Sequence, residues 1–239
     1  MVTGSRQANI WAIVPAAGAG KRMASTLPKQ YLQLGDKTVL EHTLDALFAC
    51  RQLDGVLVVL SEGDACWPDI QPRYADQPLE TATGGAERCY SVLNGLQQLA
   101  GRAHAEDWVL VHDAARPCVR PADIDSLVDT LSDSTDGGLL GVPVADTMKQ
   151  VDAEQRVTTT VVREGLWHAY TPQMFRLGNL QSALQQAIDR QLLVTDEASA
   201  MELAGFQPRM VQGQRDNIKI TTPSDLELAA FYLQKRTLT

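Results

Sequence analysis

An α/β fold is what this sequence predicts: a Rossmann-like, mostly parallel twisted sheet flanked by helices, with a protruding β-hairpin arm. Three observations carry it. Near-continuous apolar runs such as "DGVLVVL" and "DWVLV" have the composition of strands buried on both faces, which is the habit of parallel sheets. Helical patterns separate these runs, so crossovers join the strands. Polar clusters follow them, as in "PAAGAGKR", "HDAAR" and "RDNIKIT", at the sheet edge where open α/β folds place ligands.

Taken in order, "IWAIVPAAG" is a first strand running into a loop. "TVLEHTLDALFAC" puts Leu40, Leu44, Leu47 and Phe48 on one helical face, with Thr38 as N-cap. "DGVLVVL" is a buried strand, "GGAERCYSVLNGLQQL" a loop then a helix, and "DWVLVHDAARP" a second buried strand with a polar end. "PADIDSLVDTLS" starts a helix near Pro121. "GGLLGVPV" is a strand. "GNLQSALQQAIDRQ" and "DEASAMELAG" are helices, the second ended by Gly205. "PRMVQG" and "NIKIT" are short strands, and "TPSDLELAAFYLQKR" is a closing helix capped by Thr222 or Ser224. The stretch "ADTMKQVDAEQRVTTTVVR" has Thr and Val runs around a polar turn, a hairpin with no sheet of its own. Such a ribbon is marginal alone, so it is expected to pack on another subunit. One domain is expected over residues 8–239, with the arm at about 143–165.

The chain has 239 residues, 44% hydrophobic, with a net charge of −8. That balance disfavours non-specific binding to nucleic acid or to an anionic membrane. Cys50, Cys66, Cys89 and Cys118 form no CxxC pair, so free thiols in a reducing compartment are expected. His42, His104 and His168 show no metal-ligand spacing. No signal peptide or membrane span is read, and the cytoplasm is the expected location.

The loop after the first strand is the sharpest local signal. A P-loop fails, because Pro15 stands at its first glycine and Arg22 at its Ser/Thr. A dinucleotide fingerprint fails, because Met23 stands at its third glycine. Spacing alone fits a tight strand-to-helix turn as well as a phosphate loop. Lys21, Arg22 and Lys29, with no acid before Asp36, shift the reading towards a polyphosphate on bare backbone amides. Pro15, Ala16 and Ala17 have little bulk, and Gly84 and Gly85 expose backbone donors and acceptors.

These residues resemble a family. "PAAGAGKRMASTLPKQYLQLGDKTVLEHTL", "GGAERCYSVLNGL", "VHDAARP", "GLWHAYTPQMF", "TDEASAMELAG" and "DNIKITTPSDLELA" together resemble the 2-C-methyl-D-erythritol 4-phosphate cytidylyltransferases of the non-mevalonate isoprenoid pathway. The resemblance runs from about Ile10 to the last helix. It implies transfer of a cytidylyl group from CTP to a polyol phosphate, with Mg²⁺ and a homodimer whose arms share the active sites. Ribitol 5-phosphate is the alternative acceptor. A nicotinamide-dependent oxidoreductase is disfavoured by the missing glycine and the loop cations.

The resemblance implies roles residue by residue. Arg22, Lys29 and Lys219 would bind phosphates and stabilise the transition state, with Arg163 joining them. The nucleotide would meet Pro15, Ala16, Ala17, Gly18, Ala19, Gly20, Gly84, Gly85, Ser91, Asp113 and Ala114. Ala86 offers at most a backbone contact. The acceptor would meet Thr147, Arg163, Thr171, Lys219 and Arg116, of which Thr147 and Arg163 bracket the arm and serve the neighbour. Asp113, a hard oxygen ligand at a strand end, and Asp216 are the metal candidates. His112 is read as a hydrogen-bonded structural side chain, and Thr195 as a helix cap or a substrate contact.

Overall fold

The computed structural model describes residues 6–18 and 27–237. Its central sheet has seven strands in the order β11-β7-β10-β6-β1-β4-β5. These are β1 (Ile10–Pro15), β4 (Gly55–Leu60), β5 (Leu79–Thr83), β6 (Trp108–Val111), β7 (Gly138–Pro143), β10 (Trp167–Arg176) and β11 (Arg209–Gln212). All are parallel except β10, which runs antiparallel to both neighbours. Between them lie β2 (Gln33–Leu34), β3 (Lys37–Thr38), and the separate two-stranded sheet of β8 (Met148–Val151) and β9 (Val157–Val161).

Alternation along each buried strand builds two cores. Ala12 and Val14 of β1, with Trp108 and Leu110 of β6, face α1 (Val39–Phe48) and α4 (Pro121–Leu131). Ile13, Val109 and Val111 face the other way. There they meet α3 (Arg88–Ala100), α5 (Leu177–Asp189) and α6 (Glu197–Leu203), through Leu96, Leu99, Leu180, Leu184 and Met201. Successive side chains point to opposite faces, so strands covered on both sides must be apolar throughout. Truncating one fully buried leucine, such as Leu96→Ala, costs about 2–5 kcal/mol. The short α2 (Trp67–Ile70) covers one core, and α7 (Pro223–Thr237) packs over a third, smaller cluster that includes Leu34, Val39 and Ile220.

Local chemistry agrees with the expected starts and stops in most places. Thr38 and Glu41 form the reciprocal capping box of α1. Pro121 opens α4. At α6 the cap is Asp196, whose carboxylate accepts from the Ser199 amide, so Thr195 does not hold that position. At α7 the carboxylate of Asp225 accepts from the amides of Thr221 and Thr222.

Three features differ from the sequence reading. β5 is short, polar and mostly exposed, and an edge strand of that kind gives no apolar run. β10 was not anticipated as a strand; it carries Pro172 at a register irregularity between Ala169 and Gln173, where a missing amide costs no ladder bond. "NIKIT" forms no strand. Its backbone is tied instead by the Ile220 amide to the carbonyl of Ala115 at 2.8 Å.

Strand order explains where a site can form. The chain goes from β1 to β4 and β5 on one side, then returns to β6 on the other. The loops after β1 and β6 therefore diverge at their carboxyl ends and leave a crevice.

Candidate active site

At that crevice lies a cleft of about 190 Å³. The loop after β1 forms one wall, with Pro15, Ala16, Ala17 and Gly18. Gln30 fixes this loop from below: its Nε2 donates to the carbonyls of Ala16 at 2.5 Å and Gly18 at 3.2 Å. The Gln30 side chain and Ala16 are buried, so the Ala16 carbonyl has a firm partner where water is scarce. Lys29, from the same short turn, lines the cleft and donates from Nζ to the carbonyl of Ile220 at 3.1 Å.

The turn before α3 forms the facing wall. A Cβ added at Gly84 would lie 2.6 Å from the Ala17 Cβ and 2.8 Å from the Ser91 Oγ, so only glycine lets these walls approach. Ser91 Oγ accepts from the Gly85 amide at 3.1 Å and donates to the Glu87 carbonyl at 3.1 Å. It lines the cleft while closing the turn.

Asp113, with Ala114 and Ala115, comes from the end of β6. Its Oδ2 lies 2.8 Å from Lys219 Nζ and 3.5 Å from Arg116 Nε, and its Oδ1 accepts from Arg88 Nε at 3.1 Å. Burial alone would raise this carboxyl. Arg88, Lys219 and Arg116 outweigh burial and hold it well below the usual carboxylate range. Arg88 lines the cleft and spends both terminal nitrogens on Glu197, at 2.6 and 2.9 Å.

Behind Asp113 a buried relay sets its backbone. Thr171 Oγ1 accepts from the Asp113 amide at 3.0 Å and lies 3.0 Å from His112 Nδ1. His112 Nε2 faces the Arg116 carbonyl at 3.2 Å, which places the proton on Nε2 and leaves Nδ1 to accept from Thr171. Burial pushes the imidazole down to about 4, so it is neutral near pH 7.

Ten of the expected residues thus line one cleft: Pro15, Ala16, Ala17, Gly18, Lys29, Gly85, Ser91, Asp113, Ala114 and Lys219. Ala19, Gly20, Lys21 and Arg22 lie outside the described residues. Others are placed elsewhere. Asp216, expected as a second metal ligand, is instead bound by Arg120 at 2.5 Å and Arg236 at 3.0 Å, and does not line the cleft. Thr171 is 4% exposed and its hydroxyl serves the relay. Arg116 is 8% exposed, stacks on Tyr170 and donates to the Asn217 carbonyl at 2.8 Å. Neither lines the cleft. Thr147 and Arg163 sit at the base of the exposed hairpin, where the Arg163 guanidinium donates to the Ala145 carbonyl.

Sequence reasoning missed Gln30, Arg88 and Glu197. One signal was available for Arg88. A cation in the first position of a helix opposes the helix dipole, and such a residue needs a compensating acid.

Among the described residues, no cluster of three or more His, Cys, Asp or Glu could hold a metal ion. One ionised carboxylate on the cleft floor does suit a Mg²⁺ that keeps phosphate oxygens and waters as its other ligands.

Known proteins resemble this chain over most of its length. A family profile described as 2-C-methyl-D-erythritol 4-phosphate cytidylyltransferase matches residues 10–235. The chain is 51% identical over 226 residues to a protein of that name from Hahella chejuensis, covering 95% of this chain and 93% of the relative. It is 51% identical over 227 residues to one from Aliivibrio fischeri, covering 95% and 94%. Among solved structures, a 4-diphosphocytidyl-2C-methyl-D-erythritol synthase superposes with a TM-score of 0.83 at 36% identity, over 95% of this chain and 99% of that one. A Francisella tularensis 2-C-methyl-D-erythritol 4-phosphate cytidylyltransferase gives 0.80 at 36% identity, over 94% and 100%.

Proposed function

The chain belongs to the 2-C-methyl-D-erythritol 4-phosphate cytidylyltransferase family, and from that premise we propose that it transfers the cytidylyl group of CTP to 2-C-methyl-D-erythritol 4-phosphate. The products are 4-diphosphocytidyl-2-C-methyl-D-erythritol and pyrophosphate. The observation that carries this reading is the gathering of Lys29, Arg88 and Lys219 around a narrow small-residue cleft, in a chain whose net charge is −8.

The chemistry asks little of acids and bases. An ionised oxygen of the acceptor phosphate attacks the α-phosphorus of CTP, and the bond to the β-phosphate oxygen breaks with pyrophosphate as leaving group. No proton need move, and a buried His112 that is neutral near pH 7 is in keeping with that. The barrier comes from bringing two polyanions together and from charge on the attacked phosphoryl group, so positioned cations carry the catalysis. We assign that work to Lys29, Lys219 and, from the sequence motif, Arg22. Lys219, 2.8 Å from Asp113, is placed to turn from the carboxylate to the incoming phosphate. Ala16, Ala17, Gly84, Gly85 and Ser91 would frame the cytosine. Asp113 would hold a Mg²⁺ brought in on the triphosphate; when bound, such an ion neutralises phosphate charge.

Residues 8–239 are proposed as one domain. We further propose a homodimer in which the β8–β9 arm crosses to the neighbour, so that Thr147 and Arg163 meet the acceptor in the partner's cleft. Exposed Val151, Val157 and Val162 on the arm support this. No helix among the described residues is long and apolar enough to cross a membrane, and the cytoplasm is the proposed compartment.

The test is pyrophosphate release from CTP with 2-C-methyl-D-erythritol 4-phosphate or ribitol 5-phosphate, with magnesium present and absent. Magnesium-dependent release with the first acceptor, at least tenfold faster than with the second, is the expected result. Preference for ribitol 5-phosphate would overturn the proposed acceptor.

A further inference from the structure

Glu197 does not line the cleft, yet it is tied to it through Arg88. Its side chain is 1% exposed and both oxygens receive Arg88, at 2.6 and 2.9 Å. Arg88 in turn reaches Asp113 Oδ1 at 3.1 Å, while Asp113 Oδ2 meets Lys219 at 2.8 Å. Charges of alternating sign therefore run from the interior to the cleft.

The mount of Glu197 is rigid. Gln173, on β10, accepts the Ala198 amide on its Oε1 at 2.8 Å and donates from Nε2 to Asp196 Oδ2 at 2.8 Å. Both sequence neighbours of Glu197 are thus fastened to the strand beside β6, and Asp113 follows β6 by two residues. A bidentate grip fixes the plane of a guanidinium as well as its position. The fixed plane aims Nε at Asp113 and leaves Lys219 as the partner that can be exchanged.

We propose that Glu197 is a positioning residue for the triphosphate half of the site: it locks Arg88, and through Arg88 the Asp113 carboxylate, in the orientation that receives CTP. Breaking a buried ion pair that only stabilises the fold would lower the melting temperature without singling out one substrate. A positioning residue discriminates between them.

This inference rests on the cleft being the CTP site, so its test begins with CTP alone. Titration calorimetry of the full chain with CTP and magnesium is compared for wild type, Glu197→Gln, Arg88→Lys and the double variant. Glu197→Gln is expected to weaken CTP binding at least tenfold and to lower kcat, with the KM for the polyol phosphate within twofold of wild type. On the Arg88→Lys background the same change is expected to cost less than threefold, because the residue it acts through is already altered. CTP affinity and kcat within twofold of wild type in a folded Glu197→Gln would overturn the proposal, as would its full loss recurring on the Arg88→Lys background. Should Glu197→Gln not fold, Glu197→Asp replaces it, with wild-type affinity and turnover again the overturning result. A wild-type chain that binds no CTP would instead sink the reading of the cleft.

Discussion

Lys219 Nζ lies 2.8 Å from Asp113 Oδ2, in a cleft with one wall formed by the small residues Pro15, Ala16, Ala17 and Gly18. The pair stores a cation where a phosphate would arrive, and the partly exposed lysine can move without disturbing the core. Lys219→Ala is therefore expected to fold normally and to lose turnover by roughly 10²-fold, the scale for removing one donor from developing charge. Steady-state kinetics with both substrates, beside a melting curve, checks this. Turnover within threefold of wild type would remove Lys219 from the reacting centre.

Arg163 and the cleft belong to different parts of the chain, since the hairpin base does not line the cavity. In mixed dimers of one Arg163→Ala subunit and one subunit inactivated by Lys219→Ala, only one geometry restores a complete site. With arms exchanged, both lesions fall on the same cleft and about half the wild-type activity survives in the other. With arms retained, both clefts are damaged. Activity of purified heterodimers decides between these outcomes.

The fold was legible where burial is two-sided. β1, β4 and β6 need apolar residues at every position, and such runs are visible without any structure. β10 was not, because its polar, Pro172-bearing sequence makes sense only beside β6 and β7. The cleft's small residues and Asp113 could be read from motifs that follow strands. Gln30 could not, since its value lies in two backbone carbonyls of the preceding loop that no side-chain motif marks, and Arg88 and Glu197 could not, since their value lies in bonds to distant parts of the chain. Arg88 and Glu197 are 109 residues apart in sequence.

Gln30 provides a test of how far loop order governs nucleotide binding. Gln30→Ala leaves the buried carbonyl of Ala16, and that of Gly18, without this donor. An unsatisfied buried polar group costs about 1–3 kcal/mol. The expected result is a lower melting temperature with a KM for CTP raised roughly tenfold, on the scale of 1.4 kcal/mol per decade, and a smaller change in the KM for the acceptor. Equal effects on both KM values would show that the loop is not a nucleotide wall.

His112 sets an acid limit on stability whose sign follows from burial. Its folded pKa is pushed down to about 4, below the ordinary value near 6.5. Between those values the unfolded chain binds the proton and the folded chain does not. Stability contributed by the neutral imidazole is therefore fully present above about pH 6.5 and is lost as pH falls towards 4, at up to about 1.4 kcal/mol per pH unit. Asp113 is held below the usual carboxylate range and does not titrate in this window. Asp123, raised chiefly by burial, acts in the opposite sense but is common to both proteins compared. His112→Gln keeps a donor and an acceptor and cannot titrate. Denaturant midpoints measured from pH 7 to 4.5 should fall more steeply for the wild type than for this variant. Parallel curves would mean that the imidazole is charged, or hydrated, in the folded protein.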